Sequence, residues 1–446
     1  MNKGGMDTVY FLGIGGIGMS ALARYYHSQG VTVAGYDRTR SPLTQKLEDE
    51  GMAIHYEDNP TLLPALIDTV IYTPAVPEDL KEMAEIRRRG IPMMKRSEAL
   101  GAISRQHFTI AVAGTHGKTT TTAMVAHILK ECGVDMTAFI GGIANNFGSN
   151  LHLGNTDKAV LVAEADEFDR SFLRLDPNIS IINSIDADHL DIYGDRTHLI
   201  ESFNEFARLT HDKVIVREGL EVTANETLRF GFGEACDFKA TLIKTENGFT
   251  DFIIDAKGTQ TTVHLPLAGT HNIMNATAAF ASALQIGLEP KDIAKALATF
   301  KGVRRRFDIR IRNNNNIYID DYAHHPEEIK SCLSAIKASF PSKRVTVVFQ
   351  PHLFTRTRDF MEDFATSLAM ADNLILLDIY PAREKPIEGI TSQALLDKVK
   401  LSDKRLCRKE DLLVTIERLR PELLVTMGAG DIDRFVEPIE KMISQW

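Results

Sequence analysis

The chain has 446 residues, a length at which a single hydrophobic core stops growing, so two or three domains of roughly 100 to 200 residues each are expected. Hydrophobic residues make up 44% and charged residues 25%, the balance of a folded globular protein, which excludes a disordered chain. A formal net charge of −9 excludes a broad basic stripe for nucleic acid, and an anionic small substrate needs a local basic pocket.

No apolar run reaches the roughly 18 residues that a membrane-spanning helix needs. The run Val9 to Gly13 is too short and too rich in glycine for the core of a signal peptide. Cys132, Cys236, Cys332 and Cys407 are widely separated, without metal-ligand spacing, and read as reduced. A cytoplasmic enzyme with neither membrane nor nucleic acid as partner is expected.

Val9 to Leu12 reads as a strand, followed by a glycine turn, a helix from about Met19 to Ser28, a strand from Val31 to Tyr36 and another from Thr69 to Thr73. This alternation predicts an α/β fold with a parallel, doubly wound sheet that binds ligands at the carboxyl ends of its strands. Gly13-Ile14-Gly15-Gly16-Ile17-Gly18 lies between the first strand and helix, where such a loop turns backbone N–H groups and a helix N-terminus toward a pyrophosphate. Asp37 is placed to accept from a ribose hydroxyl. The motif alone does not separate NAD from another nucleotide diphosphate. The segment closes near Leu100-Gly101, after Lys95-Arg96-Ser97.

A second α/β unit begins with the apolar strand Phe108 to Ala113, which feeds Gly114-Thr115-His116-Gly117-Lys118-Thr119-Thr120 and then a helix to Glu131. Gly117 follows Gly114 by three positions rather than the five of the usual phosphate loop. Strand, glycine, Gly-Lys-Thr and helix keep their order. Lys118 then reaches the β and γ phosphates of a nucleoside triphosphate, and Thr119 offers its hydroxyl to Mg²⁺. Apolar runs at Ala159 to Ala163 and Ile179 to Asn183 deliver Glu164 and Asp186-Ala187-Asp188-His189 to the same sheet edge. Glu164 suits Mg²⁺, which needs one or two carboxylates beside phosphate and water, and His189 suits a second metal. Asp166, Glu167 and Asp169 read equally well as a solvated acidic loop.

From Lys213 to Leu267 the pattern is alternating β, and Ala276 to Leu288 resumes a helix. A third unit starts around Arg304, with strands at Ile317 to Asp320, Arg344 to Phe349, Asn373 to Leu377 and Leu423 to Met427, and a turn at Asn313 to Asn316. Four polar clusters in this half exceed what packing requires: Gly269 to Ala276, Arg304 to Phe307, Asp320 to Pro326 and Gln350 to Arg358. Together they suggest a shared cleft.

These residues resemble the Mur ligase family of cell-wall amide-forming enzymes over essentially the whole chain. The stretches that carry the resemblance are Gly-Ile-Gly-Gly-Ile-Gly-Met-Ser, Ala-Gly-Thr-His-Gly-Lys-Thr-Thr-Thr-Thr, Ile-Asp-Ala-Asp-His-Leu-Asp, Asp-Asp-Tyr-Ala-His-His-Pro and Phe-Gln-Pro-His. They are most similar to the branch that joins L-alanine to UDP-N-acetylmuramate. A recycling branch that attaches a whole tripeptide to the same UDP-sugar shares the phosphate loop and is the alternative.

The resemblance implies a three-domain α/β ligase. A Rossmann-like UDP-sugar domain would span residues 1–102, a central P-loop ATPase-type parallel-sheet domain 103–303, and a Rossmann-like amino-acid domain 304–446. ATP would be a substrate and Mg²⁺ a cofactor, with the protein a monomer or homodimer. Gly15, Gly16, Ile17 and Gly18 would bind the diphosphate of the UDP-sugar rather than NAD. Asp37, His55, Thr73 and Arg96 would line that site. Gly141-Gly142-Ile143 and Asn150 would form the loop that holds the sugar. The loop from Gly114 to Thr120 would hold ATP with Asn272 and Asn275 at the adenine, Arg306 at the phosphates and Asp321 near the ribose.

By the same resemblance Lys118, Glu164, His189 and Arg306 would be catalytic, and Thr119, Glu164 and His189 would hold metal. His325, His352 and Arg356 would face the amino acid, with Arg356 at its carboxylate. Two departures stand out. No lysine lies between Lys158 and Lys213, where several relatives carry a carbamylated lysine at the second metal, and Leu353 and Phe354 replace the Arg and Tyr of many members.

Overall fold

The apolar runs become strands buried on both faces, as parallel sheets covered by helices require. In β1 (Thr8–Leu12), Val9, Tyr10, Phe11 and Leu12 are fully buried. It pairs in parallel with β2 (Thr32–Tyr36), and β3 (Ala53–His55), β4 (Thr69–Tyr72) and β5 (Met93–Lys95) complete a five-stranded sheet of order β3-β2-β1-β4-β5. The strand order reverses at β1 and β4, so a crevice opens at their carboxyl ends, beside the Gly13 to Gly18 turn. Helices α1 (Ile17–Ser28), α2 (Pro42–Asp49), α3 (Lys81–Arg89) and α4 (Arg96–Ser104) cross over between strands. The start of α2 is written in Ser41-Pro42-Leu43-Thr44: Ser41 and Thr44 exchange side-chain to backbone bonds of 3.2 and 2.9 Å, with Pro42 in the first turn.

This computed structural model describes residues 6–186, 195–224, 226–313, 315–382 and 384–446. The chain forms two units. The first spans Met1–Ala240, Ile254–Thr261 and Met274–Leu297, and the second Thr241–Ile253, Thr262–Ile273 and Ala298–Trp446. The part expected as a UDP-sugar domain and most of the part expected as an ATP domain lie in the first unit, while residues 241–253, 262–273 and 298–303 belong to the second.

In the central sheet, β6 (Thr109–Ala113), β7 (Met136–Ala144), β8 (Ser149–His152), β9 (Val160–Glu164), β10 (Ile179–Ile182), β11 (Lys213–Arg217) and β12 (Thr227–Gly231) run in the order β12-β11-β10-β6-β9-β7-β8. All these neighbours are parallel except the β7–β8 hairpin. Gly141-Gly142-Ile143, expected as a loop, lie inside β7. Next to β6, α5 (Lys118–Glu131) is buried from Thr119 to Leu129. Four consecutive threonines are weak helix formers, yet packing overrides propensity here. Thr121 accepts from Asn183 Nδ2 at 2.9 Å, and Thr122 Oγ1 donates to Lys118 O at 2.9 Å.

After α6 (Arg196–Arg208), the strands β13 (Phe238–Glu246), β14 (Phe249–Ala256) and β15 (Thr259–Leu265) supply the alternating pattern read from the sequence. Helix α7 (Thr270–Gln285) begins six residues before the expected Ala276, because Thr270 to Asn275 coil rather than cap, and α8 (Pro290–Ala298) follows.

The second unit holds a six-stranded sheet of order β16-β17-β21-β18-β19-β20. Its strands are β16 (Asp308–Arg312), β17 (Ile317–Asp321), β18 (Val345–Phe349), β19 (Asn373–Leu376), β20 (Lys404–Leu406) and β21 (Leu423–Met427). Antiparallel β16 is an edge strand that the sequence reading lacked; the others are parallel. Asn313 makes the turn between β16 and β17, its Oδ1 accepting from Asn315 N and Asn316 N at 2.9 and 2.8 Å. Helices α9 (Pro326–Ser339), α10 (Phe354–Asp359) and α11 (Met361–Leu368) follow β17 and β18. Among the described residues no helix is long and apolar enough to cross a membrane.

Candidate active site

The loop between β6 and α5 is built on glycine at both ends. Gly114 and Gly117 have φ of 136° and 82°, and a Cβ would meet Ser184 N at 2.9 Å or Asn275 Oδ1 at 2.5 Å. The two residues between them are fastened to the end of β10. Thr115 N donates to Ser184 O at 3.1 Å and His116 N to Ser184 Oγ at 2.8 Å, while Thr115 Oγ1 lies 2.9 Å from Ser184 Oγ and accepts from Asp186 N at 3.0 Å. The contracted glycine spacing thus leaves a tight turn that Ser184 holds from behind. Neither Ser184 nor Asn183 was singled out from the sequence.

Lys118 opens α5, and its Nζ donates to Gly114 O at 2.7 Å and to Glu167 Oε1 and Oε2 at 2.9 and 2.7 Å. Burial works against this ammonium, but the carboxylates of Glu167, Asp166 and Glu164 outweigh it and hold Lys118 above its ordinary value. Thr119 Oγ1 donates to Glu164 Oε2 at 2.9 Å, and Gly141 N donates to the same oxygen at 2.9 Å. A Cβ at 141 would collide with the Glu164 carboxylate, so only glycine leaves that carboxylate in its present place. Among the described residues no three His, Cys, Asp or Glu side chains form a metal cage. His189, expected at a second metal, lies outside the described residues.

At the first glycine loop, Gly13 N and Ile14 N donate to Tyr36 O at 2.8 and 3.1 Å. Asp37, expected at a ribose, engages its two oxygens with backbone, accepting from Gly15 N at 2.8 Å and Thr39 N at 3.0 Å. Arg96, at the start of α4, lies beside Gly18, and Thr73, at the end of β4, lies beside Gly13. Arg96 Nη2 donates to Asp166 Oδ2 at 3.2 Å. Arg96 beside Gly18 and Thr73 beside Gly13 thus flank the glycine loop from the carboxyl ends of β5 and β4, while Gly15 lies against Asp37.

His55 and Asn150 both hydrogen-bond within the fold. His55 Nε2 is 2.8 Å from Tyr10 Oη, which donates to the buried Glu82 at 2.5 Å. Burial raises the Glu82 carboxyl against the pull of its hydrogen bonds. Asn150, fully buried, donates to Ser20 Oγ at 3.0 Å and to Ile17 O, and accepts from Arg24 Nη1 at 2.9 Å, so it ties β8 to α1.

In the second unit, Asp321 ends β17 and accepts from Phe307 N and Ala323 N, each at 2.7 Å. Burial pushes its carboxyl up to about 6, with Arg306 opposing the shift. Arg305 and Phe307 sit at φ of 61° and 48°. Arg305 donates to Asp320 Oδ2 at 3.3 Å, and the Arg305 and Arg306 guanidinium groups lie 5.1 and 4.9 Å from the Tyr322 ring centre. His352 stacks on Tyr380 with ring centres 5.7 Å apart, and Arg356 Nη1 is 3.4 Å from His352 Nδ1. Burial, Arg356 and His324 together push His352 down to about 4, so it is a neutral imidazole. Leu353, beside it, is held at φ 72° by a bond from its N to Tyr380 O at 2.9 Å. The His325 ring packs edge-on against Phe360 at 4.6 Å.

The two expected adenine residues lie three positions apart in α7. Asn275 lies beside Gly117 in the first unit, whereas Asn272, in the second, donates to Ala268 O at 2.7 Å. Tyr322 and Tyr380 were missed as partners of the expected cations. Tyr322 lies inside the Asp320 to Pro326 cluster but was given no role there, and Tyr380 is too far along the chain from the Gln350 to Arg358 cluster for spacing to connect them.

Residues 8–108 match the Mur ligase family catalytic domain, 112–283 the Mur ligase middle domain, and 305–430 the Mur ligase glutamate ligase domain. The UDP-N-acetylmuramate–L-alanine ligase of Christiangramia forsetii is 48% identical over 97% of this chain and 97% of its own length. That of Cytophaga hutchinsonii is 45% identical over 100% of this chain and 98% of its own. The crystal structure of the UDP-N-acetylmuramate–alanine ligase of Thermotoga maritima superposes with a TM-score of 0.84 at 29% identity, covering 98% of this chain and 99% of that one. A murein peptide ligase from Psychrobacter arcticus shares the fold, with a TM-score of 0.74 at 24% identity over 99% of each chain. Three successive domain matches and full-length relatives of this similarity place one conclusion beyond the fold: the chain belongs to the Mur ligase family.

Proposed function

We propose that this protein joins L-alanine to the lactyl carboxylate of UDP-N-acetylmuramate, turning ATP into ADP and phosphate through an acyl phosphate, as a cytoplasmic step in peptidoglycan precursor synthesis. The observation that carries this reading is the juxtaposition of Lys118 with the Thr119–Glu164 pair at the mouth of a glycine-ended loop. Full-length relatives named as alanine ligases favour alanine over the tripeptide as the second substrate.

The chemistry follows from what each group does to charge. The sugar carboxylate and the γ-phosphate are both anionic, and their approach needs fixed cations. Lys118 is held protonated beside the loop, so its charge is already in place to neutralise the transferring oxygens. Arg306, stacked on Tyr322, supplies a second cation to the nucleotide phosphates. Mg²⁺ suits the Thr119 hydroxyl and Glu164 carboxylate, because it takes few protein ligands and fills its remaining positions with phosphate oxygen and water. When bound, it lowers the charge on those oxygens.

Gly15, Gly18, Thr73 and Arg96 receive the UDP-sugar diphosphate, with Asp37 bracing the loop. Arg356 receives the alanine carboxylate, and the amine then attacks the acyl carbonyl with release of phosphate. The neutral His352 leaves the Arg356 charge unopposed. We assign residues 1–102, 103–303 and 304–446 to the UDP-sugar, ATP and amino-acid functions.

The test is phosphate release with UDP-N-acetylmuramate, ATP and either L-alanine or the tripeptide. Release with L-alanine is expected. Release with the tripeptide alone overturns the assignment of substrate.

A further inference from the structure

Four successive charged positions after β9 each hold an ion pair in the first unit. Asp166 meets Arg96 at 3.2 Å, Glu167 meets Lys118 at 2.7 Å, Asp169 meets Lys95 at 2.7 Å and Arg170 meets Glu205 at 2.5 Å. The run includes a strained turn, with Asp169 and Arg170 both left-handed at φ 54° and 53°. Three of these pairs are open to water at the carboxylate. Glu167 alone among them is enclosed, 1% exposed against 36–48% for Asp166, Asp169 and Glu205. Surface pairs of the open kind carry little stability, whereas an enclosed carboxylate cannot give up its counter-ion to solvent without a large penalty.

The donor count on Lys118 sharpens this. An ammonium has three N–H groups. Gly114 O, Glu167 Oε1 and Glu167 Oε2 take all three. An incoming phosphate oxygen therefore finds the lysine charge in place but its hydrogens engaged. Gly114 O belongs to a turn that Ser184 and the glycine conformations hold fast, so the exchangeable contact is one of the two to Glu167.

We propose that Glu167 is a positioning residue for Lys118: it fixes the ammonium through two bonds in the ligand-free protein and yields one of them to the nucleotide phosphate. Nucleotide thus binds against a competing carboxylate, and the lysine stays anchored by the remaining bond during phosphoryl transfer. Removing the charge while keeping the shape, Glu167→Gln, makes nucleotide binding tighter and turnover slower. A residue that merely supports the fold would weaken both together.

This inference rests on the reading of the loop as the ATP site, and the experiment separates the two. Binding of a non-hydrolysable ATP analogue with Mg²⁺ is measured by calorimetry on wild type, Glu167→Gln, Glu167→Asp and Lys118→Ala, with kcat and the KM for ATP alongside. Glu167→Gln is expected to bind the analogue about threefold more tightly or better, while kcat falls about tenfold or more. Glu167→Asp keeps the charge on a shorter stem and loses one bond to Lys118, so its kcat falls with affinity equal or tighter; it serves as the test if Glu167→Gln does not fold. Weaker binding by either variant, or an unchanged kcat in both, overturns the proposal. If Lys118→Ala binds the analogue as wild type does, the ATP reading itself fails. If Lys118→Ala loses binding while Glu167→Gln binds no more tightly, the role given to Glu167 fails alone.

Discussion

The Thr119 hydroxyl donates to Glu164 Oε2 at 2.9 Å, joining the second residue of α5 to the last residue of β9. Gly141 N donates to the same oxygen from β7. Three neighbouring elements of one sheet edge thereby fix a single carboxylate oxygen.

Gly141→Ala tests that arrangement from outside the pair. The added methyl displaces the Glu164 carboxylate, and a misplacement of about 1 Å at a catalytic group costs about a hundredfold in rate. Steady-state assays should show kcat reduced by about ten- to a hundredfold and a higher Mg²⁺ requirement, with a thermal midpoint close to wild type. Unaltered Mg²⁺ dependence counts against Glu164 as a metal ligand.

Asn150→Ala separates a tie within the fold from a contact with the sugar. The side chain makes three hydrogen bonds to α1, and truncation leaves Arg24 and Ile17 O short of a partner, at a cost of about 2–3 kcal/mol. Urea unfolding should show this loss. Full stability with a raised KM for UDP-N-acetylmuramate would support the sugar-binding role that the family resemblance implies.

Asp321 and His352 pull stability in opposite directions over nearly the same pH window. Asp321 is raised from an ordinary carboxyl value near 4 to about 6, so the folded state binds its proton more tightly than the unfolded state. Its contribution is full below about pH 4 and is lost as pH rises through about 6. His352 is depressed from about 6.5 to about 4, so its contribution is full above about pH 6.5 and is lost as pH falls through about 4. In wild type the two slopes offset each other. Chemical denaturation between pH 4 and 6.5 should show stability rising more steeply with pH in Asp321→Asn, and falling with pH in His352→Gln. Parallel curves for all three proteins would contradict both shifts.

Arg356→Lys replaces a planar fork with a point charge beside His352. The KM for L-alanine should rise about tenfold or more while the KM for ATP stays within about twofold. Equal increases in both would argue that Arg356 supports the nucleotide instead.

Much of this architecture is written in single-purpose stretches of the sequence. The apolar runs at β1, β6, β10, β18 and β21 are legible because strands buried on both faces leave no room for polar residues. The two glycine loops are legible because each joins such a strand to a helix. The β7–β8 hairpin is not, since Gly141 and Gly142 read as a turn until the Glu164 side chain is seen filling the space above Gly141. The pairing of Glu167 with Lys118 was equally hidden, since no local preference announces which carboxylate of an acidic run turns inward.

The shortened loop has a consequence for the helix behind it. Because α5 is enclosed on all sides along Thr119 to Leu129, with Thr121 tied to Asn183 and His127 Nε2 2.9 Å from Ala296 O, its rotation about its own axis is fixed. One extra residue between Gly114 and Gly117 would turn the helix by about 100° or force the loop to bulge into the nucleotide's place. The count of residues in the loop therefore works as a phase setting for α5, as tightly specified as any side chain in the site.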